Sequence, residues 1–304
     1  MSDDGNRFMR IGLVQMECAR DTATNMERAL EGIHQAADEH ASVVCLPELF
    51  RSRYFCQVES YDHFDLAEPI PGPTTTLLES VARERDVVII ASLFEERARG
   101  LYHNTAAVID RGKGYVGKYR KMHIPDDPRY YEKFYFTPGD LGFKSFGTSS
   151  GNLGILICWD QWYPEAARLT ALQGADVLFY PTAIGWHPEE KDAVGERQLE
   201  AWRIVQRAHA VTNGCFVVAV NRTGFEPTDG DSDGSAEGIQ FWGRSFVAAP
   251  DGSIVGELAT DRPGILVVDL DLDDIRKART GWPFLRDRRI EAYDGLMKRF
   301  LDAE

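Results

Sequence analysis

Short apolar segments alternate with longer amphipathic ones along most of the chain, and this order restricts the possible folds more than any other feature. An apolar run of strand length covers residues 10–16, and apolar residues then recur at helical spacing over residues 24–40, behind the capping candidate Asp21. A second strand is predicted at residues 43–46 and a second helix at residues 75–85. Strands that alternate with helices are typical of α/β proteins, in which helices cover a sheet.

The same alternation continues towards the C-terminus. Further strands are predicted at residues 87–94, 106–109, 114–119, 153–157, 177–180, 215–221, 244–249, 254–257 and 265–269, and further helices at residues 164–173 and 196–212. The sequence contains no repeat and no shift in composition, so we expect one domain over residues 1–304. The tail from about residue 281 to 304 is rich in Arg and aromatic residues, and we expect it to pack on a neighbouring subunit or, alternatively, within the chain.

Composition and charge argue against several classes of function. With 304 residues, of which 43% are hydrophobic, the chain can bury a large core. Its net charge of −14 argues against general binding to nucleic acid or to anionic membranes. The apolar runs are too short for a bilayer, and the first residues lack a secretory apolar stretch. Because the five cysteines are scattered and form no CxxC pair, we expect neither disulfides nor a zinc site. The same pattern fits a protein of the reducing cytoplasm.

Three residues of different chemistry follow predicted strands. Cys158 ends the apolar segment Gly154-Ile-Leu-Ile-Cys158, and Glu48 and Lys121 each come after an apolar strand. Taken singly, a buried structural Cys and a solvated Glu or Lys are the more frequent interpretations. Taken together they indicate a reaction site, because open α/β folds place reactive groups at strand ends. A nucleophilic thiol needs a base nearby and hydrogen-bond donors for the charge that develops on the attacked oxygen.

The sequence around these residues resembles the signature blocks of the nitrilase superfamily of carbon-nitrogen hydrolases. The blocks are Pro47-Glu48, Lys121-Met-His-Ile-Pro125 and Cys158-Trp-Asp-Gln-Trp-Tyr-Pro-Glu165-Ala-Ala-Arg168, and the resemblance covers nearly the whole chain. It implies a four-layer α-β-β-α sandwich, in which Glu48 is the general base, Lys121 stabilises the oxyanion and Cys158 is the nucleophile.

The resemblance also implies further features of the site and of the assembly. Glu132 resembles the second glutamate of the family, which helps to place the Lys and the substrate. The backbone N–H of Trp159 is expected to be a second donor to the oxyanion. This chemistry requires no metal and no organic cofactor, and the family likeness implies a homo-oligomer.

Within the superfamily, the sequence most resembles the N-carbamoylputrescine amidase branch, through residues 123–128, 135–140, 180–185 and 286–289. Such a substrate is a urea on a four-carbon chain that ends in an ammonium group, so a carboxylate is expected some distance from the thiol. An Asp-Asp-Pro segment is equally typical of a turn, which leaves the role of its two aspartates open. The predicted substrate-binding residues are Asp126, Asp127, Tyr130, Ala183, Trp186 and Glu189.

Two alternatives to this function stay open from sequence. The first is another amidase of the same superfamily: an ω-amidase, an aliphatic amidase or a β-ureidopropionase. Residues 159–163 contain no Arg, which argues against a substrate that carries a carboxylate. The second alternative is a non-catalytic binding protein on the same fold, and the presence of Glu, Lys and Cys at the three strand ends argues against it.

Overall fold

The computed structural model describes residues 7–228 and 237–301. In these ranges the α-helices are α1 (Thr22–Asp38), α2 (Pro73–Arg85), α3 (Glu132–Tyr135), α4 (Pro164–Leu172), α5 (Lys191–Asn213) and α6 (Asp273–Gly281). The strands are β1 (Phe8–Gln15), β2 (Val43–Cys45), β3 (Val88–Ala98), β4 (Leu101–Asp110), β5 (Gly114–Arg120), β6 (Ser145–Thr148), β7 (Gly151–Ile155), β8 (Val177–Thr182), β9 (Gly185–Trp186), β10 (Phe216–Asn221), β11 (Thr223–Pro227), β12 (Gly238–Trp242), β13 (Phe246–Ala248), β14 (Ile254–Glu257) and β15 (Gly264–Asp271). Each helix and strand predicted from the sequence is present, with its ends shifted by up to about five residues.

Two six-stranded sheets form the centre of the molecule. The first has the order β15-β1-β2-β3-β4-β5, and the second has the order β14-β13-β10-β8-β7-β6. In the first sheet β1, β2 and β3 are parallel, and in the second β7, β8 and β10 are parallel, whereas the remaining pairings are antiparallel. A small third sheet, β11-β12-β9, lies beside them.

Alternate residues of the central strands face different layers. In β2, Val43 and Cys45 pack in the cluster between the two sheets, whereas Val44 packs against α1 and α2. Helices α4 and α5 cover the other face of the second sheet, with Trp202 fully buried. Burial of each such apolar side chain contributes roughly 1.5–3 kcal/mol to folding. The predicted four-layer α-β-β-α sandwich is therefore confirmed.

The topology brings three strand ends to one edge of the sandwich. Because β4 is antiparallel to both β3 and β5, strand β5 runs in the same direction as β2. Glu48 follows β2, Lys121 follows β5, and Cys158 follows β7 in the other sheet. The backbone N–H of Glu48 donates to the carbonyl oxygen of Thr182, at the end of β8, over 3.4 Å. This bond joins the two sheets at the edge where the three residues lie.

The C-terminal tail leaves large apolar side chains at the surface of the single chain. Trp282, Ile290, Met297 and Phe300 are all more than 60% exposed, and Met297 reaches 91%. All five cysteines are buried and free. No helix in the described part of the chain is both long enough and apolar enough to cross a membrane.

Candidate active site

The ammonium group of Lys121 lies between two carboxylates in the interior. Lys121 Nζ donates to Glu48 Oε1 over 2.7 Å and to both oxygens of Glu132 over 2.8 and 2.7 Å, and all three side chains are buried. Burial alone disfavours an ammonium ion, but Glu132 and Glu48 reverse this effect and raise the pKa of Lys121 well above its usual value. Lys121 is therefore a fixed positive charge at the edge of the sandwich.

Glu48 has one engaged oxygen and one available oxygen. Its Oε1 accepts from Lys121 Nζ and from Asn104 Nδ2, each over 2.7 Å. Its Oε2 is buried and has no hydrogen-bond partner among the described residues. A buried carboxylate oxygen without a donor is costly, and such atoms are expected where a proton or a ligand is received.

Glu132 begins α3 and completes this group of charges. Tyr54 donates its hydroxyl hydrogen to Glu132 Oε1 over 2.6 Å. Burial raises the pKa of Glu132 to about 7, Lys121 acts in the opposite direction, and the neighbouring Glu48 carboxylate adds to the increase. Two carboxylates thus share one ammonium ion, and the group carries more negative than positive charge.

Cys158 is the first residue of a short 3₁₀ helix, Cys158–Trp162, that follows β7. Its φ of 39° is in the left-handed region, which is strained for a residue with a Cβ and is typical of residues held for function. Burial and the Glu48 carboxylate raise the pKa of the Cys158 thiol well above its usual value, and Lys121 only partly offsets them. The resting sulfur is thus a thiol. Trp159 lies in the first turn of the same helix, where backbone N–H groups have no acceptor within the helix.

Asp160 joins the turn that carries Cys158 to the segment that carries Lys121. Its Oδ2 accepts from the Ile157 N–H over 3.0 Å and from the Tyr119 hydroxyl over 2.8 Å. Its Oδ1 accepts from the backbone N–H of His123 over 3.0 Å. Asp160 is completely buried, so these charge-assisted bonds fix the relative positions of the two segments.

A cavity of about 440 Å³ opens above Cys158. Its wall is largely aromatic and apolar, and it includes the carboxylates of Asp127 and Glu190 in addition to Glu132. Of the described residues that line it, none is Arg or Lys. The other lining residues are Pro125, Pro128, Tyr130, Trp159, Trp162, Ala183, Ile184, Gly185, His187, Gln198, Ala201 and Trp242.

Three of the six predicted substrate-binding residues line this cavity: Asp127, Tyr130 and Ala183. The hydroxyl of Tyr130 donates to the carbonyl oxygen of Gly185 over 3.2 Å and accepts from its N–H over 3.1 Å, which fixes one wall. The sulfur of Cys158 lies 3.8 Å from the carbonyl oxygen of Ala183.

The other three predicted residues lie outside the cavity wall. Asp126 is exposed, Trp186 is buried with its Nε1 donating to the carbonyl oxygen of Gly195 over 2.9 Å, and Glu189 pairs with Arg129 over 2.9 Å. Sequence reasoning did not identify Glu190, which directly precedes α5 and lines the cavity. A predicted start of α5 at residue 191 instead of 196 would have placed Glu190 next to the first turn of the helix.

The fold and the site define a class of protein. A thiol, a carboxylate with an available oxygen and a fixed ammonium ion at one edge of an α/β sandwich are the groups that a cysteine-dependent hydrolase of carbon-nitrogen bonds requires. The model of the carbon-nitrogen hydrolase family matches residues 10–280. The chain belongs to this family and is an amidohydrolase.

Individual proteins give the same assignment. The chain is 43% identical to an N-carbamoylputrescine amidase of Solanum lycopersicum over 293 residues, which is 96% of each sequence. It is similar to the crystal structure of a carbon-nitrogen hydrolase from Helicobacter pylori, with 44% identity, a TM-score of 0.92 and coverage of 97% of this chain and all of that one. A nitrilase superfamily member from Saccharomyces cerevisiae shares the fold, with 24% identity and a TM-score of 0.75. The match covers 95% of this chain and 99% of the yeast chain. The predicted superfamily and the nitrilase-type fold are confirmed.

Proposed function

We propose that this protein hydrolyses N-carbamoylputrescine to putrescine, ammonia and carbon dioxide, with Cys158 as the nucleophile. The observation that carries the proposal is the cavity above Cys158. Its described lining includes the acidic residues Asp127 and Glu190 in addition to Glu132, and neither Arg nor Lys. Such a wall favours a substrate that ends in an ammonium group and disfavours one that ends in a carboxylate. The likeness to the Solanum lycopersicum amidase supports the same substrate.

In the first half of the reaction, Glu48 removes the proton of the Cys158 thiol, and the sulfur attacks the ureido carbon. Glu48 Oε2, which has no other partner among the described residues, is the proton acceptor in this scheme. Once protonated, Glu48 holds the Lys121 ammonium less strongly, so one N–H of Lys121 can turn to the oxyanion. The backbone N–H of Trp159 is the second donor, and one such donor typically changes the rate by about 10²–10³-fold.

In the second half, the carbon-nitrogen bond breaks. Ammonia leaves with the proton from Glu48, and the carbonyl carbon remains bonded to Cys158 Sγ as a thioester. Glu48 then takes a proton from water, whose oxygen attacks the same carbon, and the thiol regains its proton as the thioester opens. The product is the carbamic acid of putrescine, which decomposes to putrescine and carbon dioxide.

The distal ammonium group of the substrate is assigned to the carboxylates of the cavity wall. Asp127 and Glu190 are the first candidates because both line the cavity. Asp126 and Glu189 lie beside them in sequence, and Glu189 is already paired with Arg129. Aromatic rings of the wall, such as those of Trp162 and Trp242, also attract an ammonium group through their faces.

The setting of this reaction completes the proposal. We place it in the cytoplasm, in one domain that spans the whole chain, and in a homo-oligomer. The exposed apolar side chains of the tail, among them Met297 at 91% and Phe300 at 77%, support packing on a neighbouring subunit. The number of subunits follows from the mass of the native particle by light scattering.

A panel of four substrates tests the substrate assignment. Citrulline is the sharpest comparison, because it differs from N-carbamoylputrescine only by a carboxylate next to the distal ammonium group. N-carbamoyl-β-alanine carries a carboxylate alone, and glutamine replaces the urea with an amide. We expect kcat/KM, measured by ammonia release, to be highest for N-carbamoylputrescine by at least about tenfold. Equal or faster turnover of a carboxylate-bearing substrate would overturn the assignment.

A further inference from the structure

A buried ion pair that does not touch the cavity lies behind the loop that follows β2. Arg222 Nη1 donates to Glu226 Oε1 over 2.8 Å, and the two side chains are 0% and 2% exposed. Removing both charges from water is costly, and apolar residues of similar volume often stabilise a protein as well or better. Stability alone therefore does not account for an arginine at this position.

Arg222 binds the backbone on both sides of the bond between Glu48 and Leu49. It donates to the carbonyl oxygen of Glu48 over 2.6 Å, to that of Leu49 over 3.0 Å and to that of Ser52 over 3.2 Å. Leu49 has a φ of 49°, which is strained for a side chain of its size. Such a conformation persists only where the surroundings fix it, and the guanidinium group supplies that restraint at the residue next to Glu48.

Glu226 holds the other end of the same loop. Its Oε2 accepts from the backbone N–H of Tyr54 over 2.6 Å, and the Tyr54 hydroxyl donates to Glu132 Oε1 over 2.6 Å. The Arg222 guanidinium also lies 5.9 Å from the centre of the Tyr54 ring. One ion pair thus fixes both Tyr54, which binds Glu132, and the backbone of Glu48. The carboxylates of Glu48 and Glu132 are the two that bind Lys121.

We propose that Arg222 and Glu226 are positioning residues for the catalytic carboxylates. They set the backbone conformation that holds the Glu48 and Glu132 carboxylates in place on Lys121. The inference rests on the proposed roles of Glu48, Lys121 and Cys158, but not on the identity of the substrate. Because small misplacements of a catalytic group are costly, loss of the pair lowers kcat by about 10²-fold and changes KM little.

The test compares Arg222→Met with Arg222→Lys, Glu226→Gln and the control Arg120→Met. Arg120 is a similarly buried arginine, 5% exposed, that binds Glu95 and Asp140 instead of the loop after β2. Each variant is measured for kcat and KM with N-carbamoylputrescine and for the rate at which iodoacetamide alkylates Cys158, read from the mass of the peptide. Alkylation depends on the base at Glu48 and needs no substrate, so it still tests the pair if the proposed substrate is wrong.

We expect Arg222→Met to lower both kcat and the alkylation rate by about 10²-fold at a nearly constant KM. Arg222→Lys and Glu226→Gln should retain intermediate values, because each keeps part of the hydrogen bonding, and Arg120→Met should stay within about threefold of the unmodified protein. If Arg222→Met does not fold, the two conservative variants decide by the same criteria. Unchanged kcat and alkylation in folded Arg222 and Glu226 variants, or an equal loss in Arg120→Met, would overturn the inference.

Discussion

Two buried charge clusters lie at the end of β5. The adjacent residues Arg120 and Lys121 each supply a cation, Arg120 to the first cluster and Lys121 to the second. In the first, the Glu95 cluster, Glu95 accepts hydrogen bonds from Lys118, Arg120 and Thr105, and each of its oxygens has two donors. Asp140 binds the other side of Arg120 over 2.8 Å. Burial opposes ionisation of Glu95, but the donors outweigh it, with Arg120 first, and lower its pKa to about 2.

The second, the Lys121 cluster, has the opposite balance. One ammonium ion serves both Glu48 and Glu132, and Glu48 Oε2 has no donor among the described residues. The pKa of Glu132 is raised to about 7, mainly by burial. Balanced charge thus keeps Glu95 ionised as a structural anion. In the Lys121 cluster the carboxylates outnumber the cation, which leaves Glu48 Oε2 available to take a proton.

The largest expected effect separates the two clusters by activity. Glu48→Gln should lower kcat by about 10²–10⁴-fold, because an amide oxygen cannot act as the general base. Glu95→Gln should leave kcat per folded molecule within about twofold, since Glu95 is not among the residues that line the cavity. Steady-state ammonia release, corrected for the folded fraction, measures both. A comparable loss of kcat in the two variants would mean that the clusters do not divide these tasks.

The next effect separates the clusters by stability. Because the pKa of Glu95 is lowered on folding, the ionised group stabilises the fold above the pKa of the unfolded chain, near 4.5. That contribution, about 3 kcal/mol at neutral pH, is lost as the pH falls from 4.5 towards 2. Glu95→Gln should therefore unfold at lower denaturant concentration at pH 7. The gap to the unmodified protein should shrink at pH 3, and a gap independent of pH would contradict this.

A third effect concerns the pH dependence of turnover. Protonation of Glu132, whose pKa is about 7, weakens its ion pair with Lys121, so kcat/KM should fall as the pH drops below about 7. Glu132→Gln should move this acid limb to lower pH, because the carboxyl group that titrates near pH 7 is no longer present. A pH–rate profile of both proteins measures the shift. An acid limb that stays in place, or moves to higher pH, would show that Glu132 does not set it.

The smallest effect comes from one hydroxyl group. The hydrogen bond from Tyr54 lowers the pKa of Glu132, against the stronger effect of burial. Tyr54→Phe should therefore raise the apparent pKa of the acid limb slightly and reduce kcat only a few-fold at pH 8. The same pH–rate profile reads out the shift. A downward shift would contradict the assigned hydrogen-bond direction.

The sequence predicts the fold and the three strand-end residues because both depend on local signals. Apolar runs mark the strands, and Glu48 and Lys121 directly follow them. The cavity wall is harder to predict, since α5 begins at Lys191, five residues before the predicted start, and the phase of its first turn decides which of two adjacent glutamates faces the cavity. The Gly, Asp and Ser residues of segment 227–238 also predict a loop, but most of that segment lies outside the described residues.

Long-range partners are invisible to such reasoning for a different reason. Asn104, in the middle of β4, binds Glu48 from 56 residues away in the sequence. Arg222, which follows β10, binds it from 174 residues away. No local pattern distinguishes them from ordinary polar residues at strand positions. Local patterns likewise do not predict the short strands β6, β9, β11 and β12 or the helices α3 and α6. Most of these elements are too short to show a period, and Ile275 is the one buried residue of α6.

Replacement of Cys158 by Ala tests the central claim most directly, with Cys215→Ala as the matched control. Both cysteines are buried beside β-strands, but only Cys158 lines the cavity. Ammonia release from N-carbamoylputrescine should fall to the uncatalysed rate in Cys158→Ala and persist in Cys215→Ala, with both variants folded by circular dichroism. Substantial ammonia release by folded Cys158→Ala would contradict the account.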